Sequence, residues 1–387
     1  MITLQKLNSD LYISLMKLNE ICEVYSGYAI KEFNNIKKGL PVIKIGNILT
    51  DGTLNLGECQ FSTEDINEKY HSKKGDIYVA LSGATTGKLG IMEDEKKYII
   101  NQRVGIIRLK QKSVSQSYIK FFLLKQTERI IDEATGCAQP NISPKQIGEY
   151  DVPVFSEKEM LQISDILNNI VCVIKHYKAM IKKYDDLIKA RFIEMFGDPV
   201  ADTKNWGQTL LKEHLESIKY GTSTPPIFTD DGYAFIRATN IKNGKIVTND
   251  MKYIPQEEAD RLEKCKLSGG EIIIVRSGVN AGDTCVVTDE YIGQYAGYDM
   301  ILVLSSDLHP VFFNTLINTE YMDKVVKPLT RRAAQPHLNS EQTQRLPIIE
   351  VPFELQEQFA DFVKQVDKSR FDIKKSIIEL EREVVYD

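Results

Sequence analysis

Between Ser156 and Phe196 the chain has neither glycine nor proline, and its apolar residues recur every seven positions. Ile163, Ile170, Tyr177 and Tyr184 form one row, and Ile166, Val173, Met180 and Leu187 form a second, three positions on. This alternation predicts an α-helix whose narrow apolar stripe lies against a partner helix. Ser156 with Glu159 fits a capping box, and Gly197-Asp198-Pro199 stops the helix. At about 1.5 Å per residue the helix is roughly 60 Å long. A second stretch, Phe353 to Val385, again lacks Gly and Pro. There Phe359, Val366, Ile373 and Leu380 are seven apart, Phe362 opens a companion row, and Val363, Arg370, Ile377 and Val384 flank it. The companion row turns polar at Ser369 and Ser376, so the far end of the helix pair is expected to be looser or completed by a partner.

Shorter alternations precede each helix, and they recur. Pro41-Val42-Ile43-Lys44-Ile45, Gly75 to Ala80, Gln102 to Leu109 and Tyr150 to Val154 read as strands, and Tyr118 to Ala134 as a helix. Leu15, Leu18, Ile21 and Val24 suggest a short amphipathic helix ahead of them, echoed by Leu210 to Ile218. Ala234 to Ala238 repeats the first strand, and Gly270 to Val275 repeats Gly75 to Ala80 at a separation of 195. Ile163 and Phe359 are 196 apart, as are Ile170 and Val366. Such a period is too long for a solenoid, so the chain is a tandem duplication. The expected class is α+β: a mixed α/β domain plus a long helix, twice. The domains are expected at 1–154 and 199–351, with helical segments at 155–198 and 352–387. The first helix leaves the first domain toward the second, and the second helix can pair with it only by running back. An antiparallel coiled coil follows, a dumbbell with pseudo-twofold symmetry.

Composition changes this picture little. With 387 residues, 42% hydrophobic and 27% charged, the chain has material for two cores and no disorder signature. The net charge of −5 argues against a uniformly basic coat but leaves room for local basic loops. Six scattered cysteines without a CxxC pair read as reduced thiols, and five histidines show no metal-ligand spacing. No leader-like segment or membrane-length apolar run is visible, so a soluble, cytoplasmic protein with no membrane or metal is expected.

Several motifs bear on chemistry. Ser82-Gly83-Ala84-Thr85-Thr86-Gly87-Lys88 superficially suggests a phosphate loop. A Walker loop would need Gly at Ser82 and Ser or Thr at Leu89, and the second copy carries Asp283 where the first has Lys88. A Gly-rich turn touching a DNA phosphate through backbone N–H groups suits it better. Thr224-Pro225-Pro226-Ile227 lacks the carboxamide and aromatic of an amino-methyltransferase motif and reads as a loop. Gln139-Pro140-Asn141 and Gln335-Pro336-His337, in loops after the central helices, are either Pro-fixed turns or DNA contacts. Lys44 and Arg237, at equivalent strand positions, are either solvated or groove-reading. The candidate DNA-binding set is Lys44, Asn47, Ser82, Thr85, Thr86, Lys88, Gln139, Asn141 and Lys145 in the first half. In the second it is Arg237, Asn240, Arg276, Ser277, Asn280, Arg331, Arg332, Gln335 and His337. No carboxylate pair, Ser/His/Asp set or Cys/His pair recurs in both halves, so the shared task is binding, not catalysis.

Two α/β domains each followed by a heptad helix, the Phe196-Gly197-Asp198-Pro199 junction and the paired Gln-Pro loops together resemble the specificity (S) subunit of type I restriction–modification enzymes. The resemblance covers essentially the whole chain. It implies that 1–154 and 199–351 are target recognition domains reading the halves of a bipartite double-stranded DNA target, while the helices set the gap. It also implies two methyltransferase (M) subunits docked on the helices, restriction (R) subunits joined through them, and S-adenosylmethionine and ATP/Mg on those partners rather than on this chain. The other readings are a coiled-coil scaffold joining two proteins without DNA readout, and a specificity module serving a modification-only methyltransferase.

Overall fold

The computed structural model describes residues 14–110, 114–134, 140–330 and 336–385. The chain divides into two compact units, one of residues 1–178 with 374–387 and the other of 179–373. Each unit takes part of both long helices.

In the first unit a four-stranded antiparallel sheet runs in the order Cys22–Ser26, Val104–Leu109, Ile77–Ala80, Leu89–Ile91. A second sheet places Leu40–Ile43 antiparallel to Gln60–Ser62 and parallel to Ile99–Ile100. Ser14–Lys17 pairs with Asp151–Val154. The second unit repeats this plan. Leu215–Tyr220, Met300–Leu304, Ile272–Ile274 and Thr284–Val286 form the four-stranded sheet, Lys252–Ile254, Tyr233–Ile236 and Tyr295–Ala296 the three-stranded one, and Gln208–Leu210 pairs with Pro347–Ile349.

Period-two alternation explains why the central strands are apolar throughout. Ile77 and Val79 face a core that includes Ile119, Leu123 and Ile130 from the helices, whereas Tyr78 and Ala80 face a second core with Ile43, Ile100 and Ile106. Ile272 and Ile274 against Ile273 and Val275 divide in the same way. Two expectations fail locally. The segment from Leu15 to Val24 is two strands joined by the single helical turn Leu18–Ile21, because sheet partners claim its backbone on both sides. Residues 208–220 likewise form strand, 3-10 turn and strand. The central helix of the first unit is two, Gln116–Lys125 and Thr127–Ala134, broken where Gln126 N–H bonds back to Leu123.

The first long helix spans Glu157–Phe196 and the second Phe353–Val385. Ser156 and Glu159 form the expected capping box: Glu159 Oε2 accepts from Ser156 N–H at 3.0 Å, and Glu159 N–H donates to Ser156 Oγ at 3.3 Å. The helices pair antiparallel. Within the second unit Phe192 and Phe196 each lie 5.5 Å from Phe359, and Asp185 meets Arg370. Within the first, Lys178 meets Glu381 at 2.7 Å.

The rows that pack need correction. Ile163, Ile170, Tyr177 and Tyr184 lie inward, but the second row is Leu167, Ile174, Ile181 and Ile188, four positions on rather than three. Ile166, Val173, Met180 and Leu187 are exposed, at 52%, 38%, 40% and 45%. On the second helix Phe359, Val366, Ile373 and Leu380 turn inward as expected. Their companions are Val363, Arg370, Ile377 and Val384, all buried, while Phe362 is only partly covered and Ser369 is exposed. The seam is therefore apolar at Ile377 and Val384, with Ser369 exposed off it.

At the junction Gly197 takes φ +76° and its N–H bonds to Ile193 O at 2.8 Å, ending the helix. Asp198 Oδ1 accepts the N–H of Val200 and Ala201, Asp202 accepts those of Trp206 and Gly207, and Trp206 Nε1 donates to Phe196 O. These backbone bonds hold the Asp198 carboxyl below the usual carboxylate range. Among the described residues no helix is long and apolar enough to cross a membrane.

Two outcomes follow, both read from the urea midpoint of Trp206 fluorescence. Ile188→Ala is expected to cost about 2–5 kcal/mol and its neighbour Leu187→Ala within about 0.5 kcal/mol of nothing; equal losses would restore the exposed row to the seam. Asp198→Ala is expected to cost about 1 kcal/mol at neutral pH. Because the folded pKa is lowered, that difference persists above the unfolded value of about 3.9 and fades as pH falls through the folded one. A difference that grew in acid would contradict it.

Candidate nucleic-acid interface

In both units the central hairpin turns through a glycine-rich loop of the same construction. Gly83 and Gly87 have φ of +80° and +85°, and Gly278 and Gly282 +93° and +100°. Thr86 N–H donates to Gly83 O, Gly87 N–H to Ala80 O and Lys88 N–H to Thr85 O, at 2.9–3.1 Å. Ala281 to Gly278, Gly282 to Val275 and Asp283 to Asn280 repeat these bonds at 2.8–3.0 Å. A side chain at Gly282 would meet Val326 at 2.6 Å, so the helical layer also requires glycine there. Each loop joins two antiparallel strands instead of opening a helix, which excludes the Walker arrangement for Ser82 to Lys88.

The loop following the helices is clamped onto this turn. Gly83 N–H donates to Pro140 O and Ile142 N–H to Leu81 O; Gly278 N–H donates to Pro336 O and Leu338 N–H to Arg276 O. Ser82 is thereby bridged to Asn141, and Ser277 to His337, with Ser277 Oγ 2.9 Å from His337 Nδ1. In the second unit the cap after the first strand joins them: Asn280 Nδ2 donates to Ala238 O at 3.5 Å. In the first, Ile45 stands 3.7 Å from the Cβ position of Gly83.

Of the candidate residues, Asn47 and Asn240 are buried, and their amides hold the strand-end turns, accepting from Lys44 and Arg237 N–H and donating to carbonyls of Asn55, and of Val247 and Asn249. Their role is structural. Thr86 Oγ1 donates to Gly83 O at 2.6 Å, and Lys88 closes its turn through the backbone. Lys44 donates to Gln60 Oε1 with its ammonium 3.5 Å above the Phe33 ring, and burial lowers its pKa. Arg237 donates to the Asp250 carbonyl and carboxylate at 2.6 and 2.9 Å, which lowers the Asp250 pKa. The Arg276 guanidinium lies 4.7 Å over the Tyr220 ring. Lys145 is exposed on the short helix Pro144–Gly148, capped by Ser143. Gln139, Arg331, Arg332 and Gln335 lie outside the described residues.

Ser82 Oγ, Thr85 Oγ1, Arg237 Nε, Arg276 Nε and Asp299 Oδ2 are buried without a partner among the described residues. Unmet buried polar atoms are costly, and these lie at or beside the turns of both units. The residues that hold the basic side chains, Phe33, Gln60, Tyr220 and Asp250, were not apparent from spacing because each comes from a different segment. Val279, at the tip of the second loop, carries no signal in the sequence beyond its place in a glycine-rich turn. Among the described residues no group of three or more His, Cys, Asp or Glu could hold a metal.

Comparison with known proteins agrees with this duplicated plan. The family described as Type I restriction modification DNA specificity domain matches at residues 13–182 and again at 205–382. The chain is 19% identical over 291 residues to the EcoBI type I restriction enzyme specificity subunit of Escherichia coli, covering 68% of this chain but 60% of that relative's length. It is 21% identical over 321 residues to the MjaVIII specificity subunit of Methanocaldococcus jannaschii, covering 78% and 74%. Its fold is similar to the type I restriction–modification S subunit from M. genitalium, at TM-score 0.52 and 16% identity over 99% of this chain and 98% of that one. A chain from a structure of type I R-M complex assembly matches at TM-score 0.55 and 14% identity, over 98% and 100%. With the domain present twice and spanning most of its length, the chain belongs to the type I restriction–modification DNA specificity family.

Proposed function

We propose that this chain is the DNA-reading subunit of a type I restriction–modification complex, each unit contacting one half of a bipartite duplex target through its clamped loop pair. The observation that carries the proposal is the repetition. Two units build the same rigid turn, bridge it to the same second loop and leave polar side-chain atoms unmet there. Lys44, Arg237 and Arg276 suit phosphate contacts, while Asn141, Ser277 and His337 suit base edges.

The chain itself supplies no chemistry in this reading. Methyltransferase subunits carrying S-adenosylmethionine methylate each half-site, and restriction subunits using ATP and Mg join through them. The exposed row Ile166, Val173, Met180 and Leu187 repeats every seven residues, the pattern that receives a further helix, and it is the proposed dock for the methyltransferase subunits. Continuous helix running from one unit into the other makes helix length the determinant of the gap.

Methylation mapping in a host expressing the chain with its modification subunit is expected to show a bipartite motif; methylation without one would end the DNA-reading proposal. Adding one heptad after Ile181 and a matching heptad opposite it in the second helix lengthens the pair by about 10 Å, and the gap is expected to widen by roughly three base pairs. An unchanged gap would remove the helices as its determinant. Met180→Glu with Leu187→Glu is expected to reduce co-purification of the modification subunit more than tenfold while the Trp206 urea midpoint stays put. Undiminished co-purification would move the dock elsewhere.

A further inference from the structure

We infer that Val279 is a specificity-determining residue of the second unit, contacting the C5-methyl group of a thymine in the major groove. This inference rests on the DNA-reading proposal and narrows it to one side chain and one functional group.

Val279 is 94% exposed, more than any other large apolar side chain described. A lone surface valine is ordinary, but this one has an unusual setting. It follows Gly278 at φ +93° in a turn locked by the Ala281 to Gly278, Gly282 to Val275 and Asp283 to Asn280 hydrogen bonds. That turn is fastened to the second loop through Gly278 N–H to Pro336 O and by the contact between Ser277 and His337. The apolar group is thus presented on stiff backbone, with little order left to lose on binding.

The turn and its bridge bring Arg276, Ser277, Asn280 and His337, all hydrogen-bonding residues, around the same loop, with Gly278 and Ala281 between them. Within the turn Ser277 to Gly282, Val279 is the one exposed large apolar side chain, whereas an apolar protein interface needs a contiguous patch. That setting matches a base-pair edge. In the major groove the one apolar feature among the acceptors and amino groups is the thymine methyl, and short apolar side chains read it by contact. The equivalent position in the first unit is Ala84, also exposed but shorter. The same turn therefore offers a longer apolar reach in one unit than in the other.

The test uses the complete complex with modification subunits and a duplex carrying the mapped target. Each thymine of the two half-sites is replaced in turn by deoxyuridine, which lacks only the methyl. For the parent chain one such replacement is expected to weaken binding by about threefold to tenfold. Val279→Ala is expected to lose a similar factor on the thymine duplex and to show no further loss with deoxyuridine at that position. Val279→Thr, which keeps one methyl in nearly the same shape, is expected to retain most of the discrimination. If no thymine shows a Val279-dependent methyl effect while bipartite methylation persists, the inference fails and the DNA-reading proposal stands. Equal loss by Val279→Ala on thymine and deoxyuridine duplexes would also overturn it, because the contact would then be to something other than the methyl. Loss of target-specific methylation by the parent complex would instead fail the underlying proposal.

Discussion

Phe359 closes against Phe192 and Phe196, and Phe312 lies 5.4 and 5.0 Å from the same pair. Four rings from three helices thus form one fully buried cluster, and the second unit depends on it. An isolated helix, even a long one, gains little from backbone hydrogen bonds alone in water; its persistence comes from covering an apolar face. Here the cluster joins the end of the first long helix to the start of the second and to the helix Pro310–Ile317 that covers the main sheet. The Gly197 stop and the Asp198 and Asp202 turns then redirect the chain into the edge strand Gln208–Leu210. The helix pair and the sheet are consequently one packing problem.

Much of this was legible in the sequence because duplication reports on itself. Two stretches with matched spacing, each beginning after a strand and lacking glycine, identify the helices without a structure. The exact packing row was not legible, for a definite reason. Ile166 stands beside Leu167, Val173 beside Ile174, Met180 beside Ile181 and Leu187 beside Ile188, so steps of three and four from the first row both meet apolar residues. Arg370 and Ser369 pose the converse problem: composition favours neither, and the guanidinium turns inward only because Asp185 and Asp367 meet it. At the candidate interface the loops could be matched between halves, but not the contacts that aim their side chains. Phe33 under Lys44, Tyr220 under Arg276 and Asp250 beside Arg237 arrive from elsewhere in the chain.

The comparison of halves also separates what the fold requires from what it leaves free. Backbone bonds in the two hairpin turns are kept one for one, together with the glycines that allow them. Side chains on that frame differ: Ala84 against Val279, Lys88 against Asp283, Asn141 against His337. Even a buried ion pair is dispensable. Arg108 donates to Asp76 twice at 2.7 Å in the first unit, whereas the second has Glu271 and Val303 at the matching strand positions. Glu271 is held instead by the N–H groups of Ser268 and Gly269. A frame fixed by main chain and glycine tolerates such replacement, which is the property a reading surface needs if its halves are to recognise different sequences.

Register is the remaining constraint, and an all-apolar seam would leave it underdetermined, since sliding one helix by a heptad presents the same kind of surface. Arg370 breaks that degeneracy. Its side chain is 6% exposed and its guanidinium donates to Asp185 at 2.6 Å and Asp367 at 2.8 Å. Sliding by one heptad would take it from Asp185 to the level of Lys178 or Phe192, leaving a buried cation with Asp367 alone. The half-exposed carboxylates make the pair a modest source of stability, but the cost of leaving the cation unmatched falls on the wrong alignments. A polar position inside a coiled-coil seam is the familiar means of choosing one alignment at some expense in stability. In a molecule whose helices are proposed to set a gap in DNA, a fixed register is what turns helix length into a defined spacing.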